Sequence, residues 1–191
     1  MLPYQLPESA GKLNAGTRDA IFSLKDDQLD AETGIGWGLQ RSLLVRHSWY
    51  DRAIVGGSDR LMMYAALGRQ KQAAEWSKMS QDWAADYLTW ADRFQSAVKG
   101  KLGFLENTVY TMWHGSLSNR RYIDRHQMVY QLGYNPVTDL ALSDQGVWRW
   151  SSDKPELHKA VKENFTNRHE NGRLARGGKK SNGSWTIYLE V

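Results

Sequence analysis

The stretch QAAEWSKMSQDWAADYLTWADRFQSAV, from Gln72 to Val98, decides the fold class. Trp76, Met79, Trp83, Tyr87, Trp90 and Phe94 recur in it at steps of three and four residues, the period of one face of an α-helix. A long helix over about Gln72 to Val98 is therefore expected, with this aromatic stripe packed into a core. Just upstream, Ile54-Val55 reads as a strand end or turn, and Leu61, Met62, Tyr64, Ala65 and Leu67 form a second helical run that Ser58 or Asp59 is placed to cap. Downstream, helical spacing returns from Arg121 to Leu132. Ser152-Asp153-Lys154-Pro155-Glu156 then opens a helix running to about Arg168, with Asp153 as cap and Pro155 in the first turn.

Shorter pieces fill the gaps. Gly34-Ile-Gly-Trp37-Gly38 is too rich in glycine for a helix and suits a tight backbone passage, after which Leu39 to His47 has helical spacing. Lys101 to Met112 reads as a strand or hairpin, Gly133-Tyr-Asn-Pro136 opens a turn-rich stretch that leads to Val147-Trp148-Arg149-Trp150, and Trp185 to Val191 reads as a terminal strand. The expected class is α+β, rich in helix, with a short sheet. A chain of 191 residues suits one compact domain. The division expected is a polar N-terminal arm over 1–33, with a short amphipathic piece at Ala20 to Leu24, a main domain over 34–170, and a basic, glycine-rich linker with the terminal strand over 171–191.

A hydrophobic fraction of 41% and a charged fraction of 24% are ordinary for a globular protein, so neither disorder nor a fibrous class is indicated. Nine Trp and nine Tyr exceed what a core of this size needs, and aromatic faces stack on sugar rings and nucleobases as well as on one another. The net charge of +4 equals the contribution of Arg173, Arg176, Lys179 and Lys180 in the glycine-rich tail, so the body is close to neutral. That argues against an extended nucleic-acid surface and leaves room for a local phosphate site. Without cysteine there is no disulfide framework, thiol nucleophile or cysteine-held zinc. The first thirty residues show no signal-peptide pattern and no apolar run is long enough to span a bilayer, so a cytoplasmic location is the expectation, and the triplets at Asn164 and Asn182 read as chance glycosylation matches.

Three segments carry the chemistry: Gly34-Ile-Gly-Trp37-Gly38, then Tyr50-Asp51 with Val55-Gly56-Gly57-Ser58-Asp59, then Trp113-His114-Gly115 followed by Asn119-Arg120-Arg121-Tyr122 and Arg125. Their order and spacing resemble the C-terminal, acceptor-side half of GT-A glycosyltransferases, most closely the bacterial and phage proteins of the family 2-like group. The resemblance covers roughly Gly34 to Arg168. It implies sugar transfer from a nucleotide-sugar donor to a hydroxyl on a glycan acceptor, with Trp37, Gly56, Gly57, Trp113 and Asn119 at the substrates.

By the same resemblance Asp59, ending the Gly-Gly-x-Asp stretch, is the general base in inverting members. A hydroxyl attacks well only when a carboxylate within hydrogen-bond reach takes its proton as the new bond forms. The residues alone equally allow Asp59 to act only as a helix cap. His114 is implied as a ligand to manganese or magnesium on the donor diphosphate, or it is a structural histidine between Trp and Gly. Arg120, Arg121 and Arg125 are implied to neutralise the leaving nucleoside diphosphate, or they are a solvated basic helix face.

The chain departs from that family on the donor side, and its acceptor motif has Val55 and the single acid Asp59 where some members have Trp and an acidic pair, which leaves inverting and retaining chemistry both open. No Asp-x-Asp, the donor-side metal motif, occurs in it, and Asp124-Arg-His126 lies within a predicted helix where residues two apart diverge. Only 33 residues precede Gly34, whereas a nucleotide-binding half needs on the order of a hundred. The expectation is an acceptor-side half: a truncated product, one half of a split enzyme, or a module whose partner supplies the donor site, with self-association or a partner chain covering the apolar edge left exposed. The alternative is a non-catalytic carbohydrate-binding or structural module derived from such an enzyme.

Overall fold

The computed structural model describes residues 12–13, 37–103, 109–110, 117–122 and 124–169. In chain order they form β1 (Lys12–Leu13), α1 (Arg41–Arg46), α2 (Ser58–Ala66), α3 (Gln70–Trp76), α4 (Gln81–Val98), β2 (Val109–Tyr110), α5 (Leu117–Arg120), α6 (Asp124–Gln131), α7 (Pro136–Asp139), β3 (Leu140–Leu142), β4 (Trp148–Trp150) and α8 (Pro155–Thr166). Helix dominates, with two antiparallel strand pairs: Lys12 lies opposite Tyr110, and Leu140 and Leu142 lie opposite Trp150 and Trp148. The helix-rich α+β class is as the sequence predicts. The arm piece at Ala20 to Leu24, the terminal strand over Trp185 to Val191, and most of the hairpin placed between Lys101 and Met112 lie outside the described residues.

The core is built on α4. Trp83, Tyr87, Ala91, Phe94 and Val98 are buried along one face, against Leu61 to Ala66 of α2 and Ala73 and Ala74 of α3. Fully burying one such side chain contributes about 1.5–3 kcal/mol, so this seam outweighs any single polar contact in the molecule. Trp83, Tyr87 and Tyr134 each find a partner for the polar atom they carry inward. Trp83 Nε1 donates to the Tyr50 hydroxyl at 3.0 Å, Tyr87 donates to the Leu61 carbonyl at 2.8 Å, and Tyr134 donates to the Arg52 carbonyl at 2.6 Å. The Tyr50 hydroxyl in turn donates to Asp86 at 3.1 Å, and Arg52 pairs with the same carboxylate. Burial first, and carboxylates nearby for Tyr50 and Tyr134, push all three phenols upward, so they stay protonated as donors.

The long helix expected over Gln72 to Val98 is two helices. Lys78 adopts φ 51° and Ser80 caps α4, its side chain accepting from the Trp83 N–H at 3.4 Å, with Asp82 in the first turn. The break splits the aromatic stripe. Trp83, Tyr87 and Phe94 are core, whereas Trp76, at the end of α3, is 36% exposed and faces another part of the molecule.

Helix starts also differ from expectation. Gly57 rather than Ser58 or Asp59 is the N-cap of α2, and no side chain caps it; Asp59 instead lies in the first turn, where its charge complements the helix dipole. Likewise Lys154 rather than Asp153 precedes α8, with Pro155 as its first residue. Lys154 is used elsewhere, donating to the Gly133 carbonyl at 2.7 Å and pairing with Asp139 at 3.0 Å. Burial alone would push the Asp139 carboxyl upward, yet the Asn135 backbone N–H and the Lys154 ammonium hold it below its usual value. The turn-rich stretch after Pro136 becomes α7 and the β3–β4 hairpin, with Asn135 capping α7.

Candidate functional site

Gly56 and Gly57 both sit at φ 94°, a conformation that costs an L side chain about 1–3 kcal/mol and a glycine almost nothing. The turn is fixed from both sides. The Gly56 N–H donates to the Ala53 carbonyl at 2.9 Å, Val55 is wholly buried, and Arg168 donates to the Val55 carbonyl at 3.4 Å. Two consecutive side chains of α6 back the glycine pair. A Cβ at Gly56 would lie 3.4 Å from Arg125 Nη1, and a Cβ at Gly57 would lie 3.1 Å from His126 Cε1.

Neither backing residue is an ordinary occupant of the interior. Arg125 is 7% exposed and His126 5% exposed, and Arg125 Nε and both ring nitrogens of His126 are buried without a hydrogen-bond partner. The His126 ring packs on Trp76 with centroids 4.9 Å apart, and the Arg60 guanidinium covers the same indole at 4.6 Å. The Arg125 guanidinium lies 4.8 Å from the centre of the Tyr122 ring, and Arg120 donates to the Tyr122 hydroxyl at 2.8 Å. Cations thus stand over aromatic faces on both flanks of the glycine pair.

The local electrostatics are strongly positive. Arg60, Arg120, Arg125 and Arg168 act on this spot, with Asp59 as the opposing carboxylate. Burial, and then the Arg125 and Arg60 charges, pull His126 down to about 4, so it is neutral at ordinary pH. Burial and the Arg168 charge lower Arg125 from its usual value, with Asp59 and Tyr122 opposing. On α8, one turn before Arg168, Asn164 is 4% exposed and both amide atoms lack a partner. Four guanidinium groups near a glycine turn can hold an anion.

Of the residues singled out in the sequence, the fold brings Gly56, Gly57, Asp59 and Arg125 together, with Arg120 adjoining through Tyr122. Arg121 has φ 47°, is exposed, and lies 3.9 Å from Asp124, so it belongs to the surface. Asn119 is half-buried on α5 beside Arg120. Trp37 packs against the core, with its ring edge-on to Trp49 at 6.2 Å. Trp113 and His114 lie outside the described residues. Among the described residues no three of His, Asp or Glu gather where a metal could sit. As its helical position implies, Asp124 is exposed while His126 is buried.

Sequence reasoning misses His126, Trp76, Arg60 and Arg168 as members of this site. Trp76 fits the period of the core stripe, and His126 carries a local signal only as part of a metal motif. Comparison with protein-family models, curated proteins and solved structures found no match.

Proposed function

We propose that the chain is the acceptor-side half of a nucleotide-sugar glycosyltransferase, working with a donor-binding half from this or another polypeptide. In this reading the acceptor hydroxyl oxygen attacks the anomeric carbon of the donor sugar. The bond from that carbon to the diphosphate oxygen breaks, its electron pair leaves with the nucleoside diphosphate, and the hydroxyl proton passes to Asp59. The glycine pair lets Arg125 and His126 pack against the turn that leads to that carboxylate. The neighbouring guanidinium groups offset negative charge as it develops on the leaving group.

One observation supports the reading above others: Gly56, Gly57 and Asp59, whose order resembles the acceptor motif, lie against Arg125 from 66 residues further along the chain. An Asp59 carboxylate close enough to act on the buried Arg125 fits a transfer site, where a base and a charge-neutralising group work side by side. A manganese or magnesium ion on the diphosphate, with His114 as a ligand, belongs to the same proposal; it would add positive charge there, and no step above depends on it.

The test is calorimetric titration of the folded chain with a panel of nucleoside diphosphate sugars, with and without manganese, alongside His114→Ala and Asp59→Ala. Expected are manganese-dependent binding that requires His114, and an Asp59→Ala variant that keeps binding and loses transfer. A folded native chain that binds none of the panel would sink independent catalysis and favour a carbohydrate-binding or interaction module. On the same sample, sedimentation is expected to show self-association or a stable partner chain; a strict monomer contradicts that part.

A further inference from the structure

We infer that the Gly56–Gly57 turn is a metal-independent binding site for a phosphate-class oxyanion, gripped by the buried Arg125 guanidinium and the N-terminal turn of α2. The inference concerns the same site as the sugar-transfer reading and rests on it only for where the phosphate comes from.

Two independent features meet at this point. The first is the start of α2, a nine-residue helix whose first-turn N–H groups have no partner within the helix and carry the positive end of its dipole. Its N-cap is a glycine, so no N-cap side chain bonds to those donors. The second is the pair of α6 side chains turned onto the glycines. Arg125 and His126 are each more than nine-tenths buried, and each has ring or guanidinium nitrogens with no hydrogen-bond partner.

Buried polar nitrogens are satisfied in the great majority of folded proteins, and a desolvated guanidinium without an acceptor is costly. An oxyanion at the glycine pair meets both needs, because a planar guanidinium donates two parallel hydrogen bonds to adjacent oxygens. The neutral His126 ring retains one N–H that can serve as a further donor. Glycine matters for a second reason: without side chains at 56 and 57, Arg125 and His126 pack directly onto the turn, with Arg125 Nη1 and His126 Nε2 each 3.4 Å from a Cβ position. The surrounding charge has the matching sign, since Arg60, Arg120 and Arg168 reinforce Arg125 against the single carboxylate of Asp59. A carboxylate ligand would fit the fork as well, but four guanidinium groups favour the higher charge of a phosphate.

The phosphate can belong to an ester on the acceptor or to a nucleotide leaving group, and the experiment separates the two. Titrate the full chain in metal-free buffer containing a chelator with inorganic phosphate, then glycerol 3-phosphate, then a nucleoside diphosphate, following backbone amide shifts by NMR. Phosphate should bind with a dissociation constant on the order of 1 mM, with the largest shifts at Gly57 to Arg60. Tighter binding of glycerol 3-phosphate than of the nucleoside diphosphate assigns the site to the acceptor, and the reverse order assigns it to the leaving group.

Arg125→Lys keeps the charge but loses the fork and should weaken phosphate binding about tenfold, whereas the exposed Arg121→Ala should leave it unchanged. Absence of phosphate binding by the folded native chain overturns the inference, as do shifts confined to other segments. Equal affinity in Arg125→Lys and native chains also overturns it. If that variant does not fold, the location of the shifts in the native chain still decides. Failure here together with manganese-dependent binding of a nucleotide sugar would remove the oxyanion site and leave the transfer reading standing.

Discussion

Gly57 is where backbone conformation and side-chain packing bear on a single residue. Its φ of 94° and the 3.1 Å approach of His126 Cε1 to a Cβ at that position make Gly57→Ala strained on two counts, whereas Gly56→Ala meets Arg125 at an ordinary 3.4 Å and suffers only the backbone strain. Urea denaturation should show Gly57→Ala less stable than the native chain by about 1–3 kcal/mol, and Gly56→Ala less affected. Equal, negligible losses would mean that the turn is not held as described. His126 gives this neighbourhood a pH dependence. Its native value is pulled down to about 4 from the usual 6.5, so on acidification the unfolded chain takes up a proton that the native chain refuses. Stability from this residue is intact above about pH 6.5 and is lost as pH falls towards 4, by an amount on the order of 3 kcal/mol. Unfolding free energies measured across that range should fall more steeply for the native chain than for His126→Gln. Parallel slopes would mean that the imidazole is not buried beside Arg125 and Arg60.

The pairing of α3 with α4 shows how far a period can be trusted at the scale of an element. Trp83, Tyr87 and Phe94 are legible as a buried face because one continuous helix carries them at the helical period. Trp76 and Met79 fit the same arithmetic by coincidence, since Lys78 in the left-handed region and Ser80 as N-cap restart the helix between them and Trp83. The signal for the break is present in Ser80 followed by Asp82, a cap and a first-turn acid, but the hydrophobic period running across it is the stronger pattern. Ser80→Ala should cost about 1 kcal/mol in thermal or chemical unfolding if that cap starts α4; no measurable loss would favour an uninterrupted helix. Pro155 marks the start of α8 correctly to within a residue, because a missing N–H is tolerated only in the first turn. Asp153 is a reasonable cap by type, yet Lys154 stands at the boundary and serves Asp139, a tertiary demand that no local pattern states.

For the molecule as a whole, the helix-rich α+β class follows from pattern, while the site follows only in part. Gly56, Gly57, Asp59 and Arg125 stand out by their resemblance to an acceptor motif, and α6 brings Arg125 to the glycines. The contributions of Arg60, Trp76, His126 and Arg168 come from four separate elements or their ends, and only the packing of α2, α3, α6 and α8 makes them neighbours. Spacing along the chain carries no trace of such a meeting. The same distinction sets apart Arg121, adjacent in sequence to Arg120 but turned to Asp124 at the surface.

The central claim is that this glycine turn, with Asp59 and Arg125, is the working site of the molecule. Amide hydrogen exchange before and after adding manganese with a panel of nucleoside diphosphate sugars tests it whichever sugar the site takes. The account predicts slower exchange at Gly57 to Leu61 and in α6 with at least one donor, abolished in Arg125→Gln. Ligand-dependent protection found only elsewhere, with the glycine turn and α6 unchanged, would contradict it.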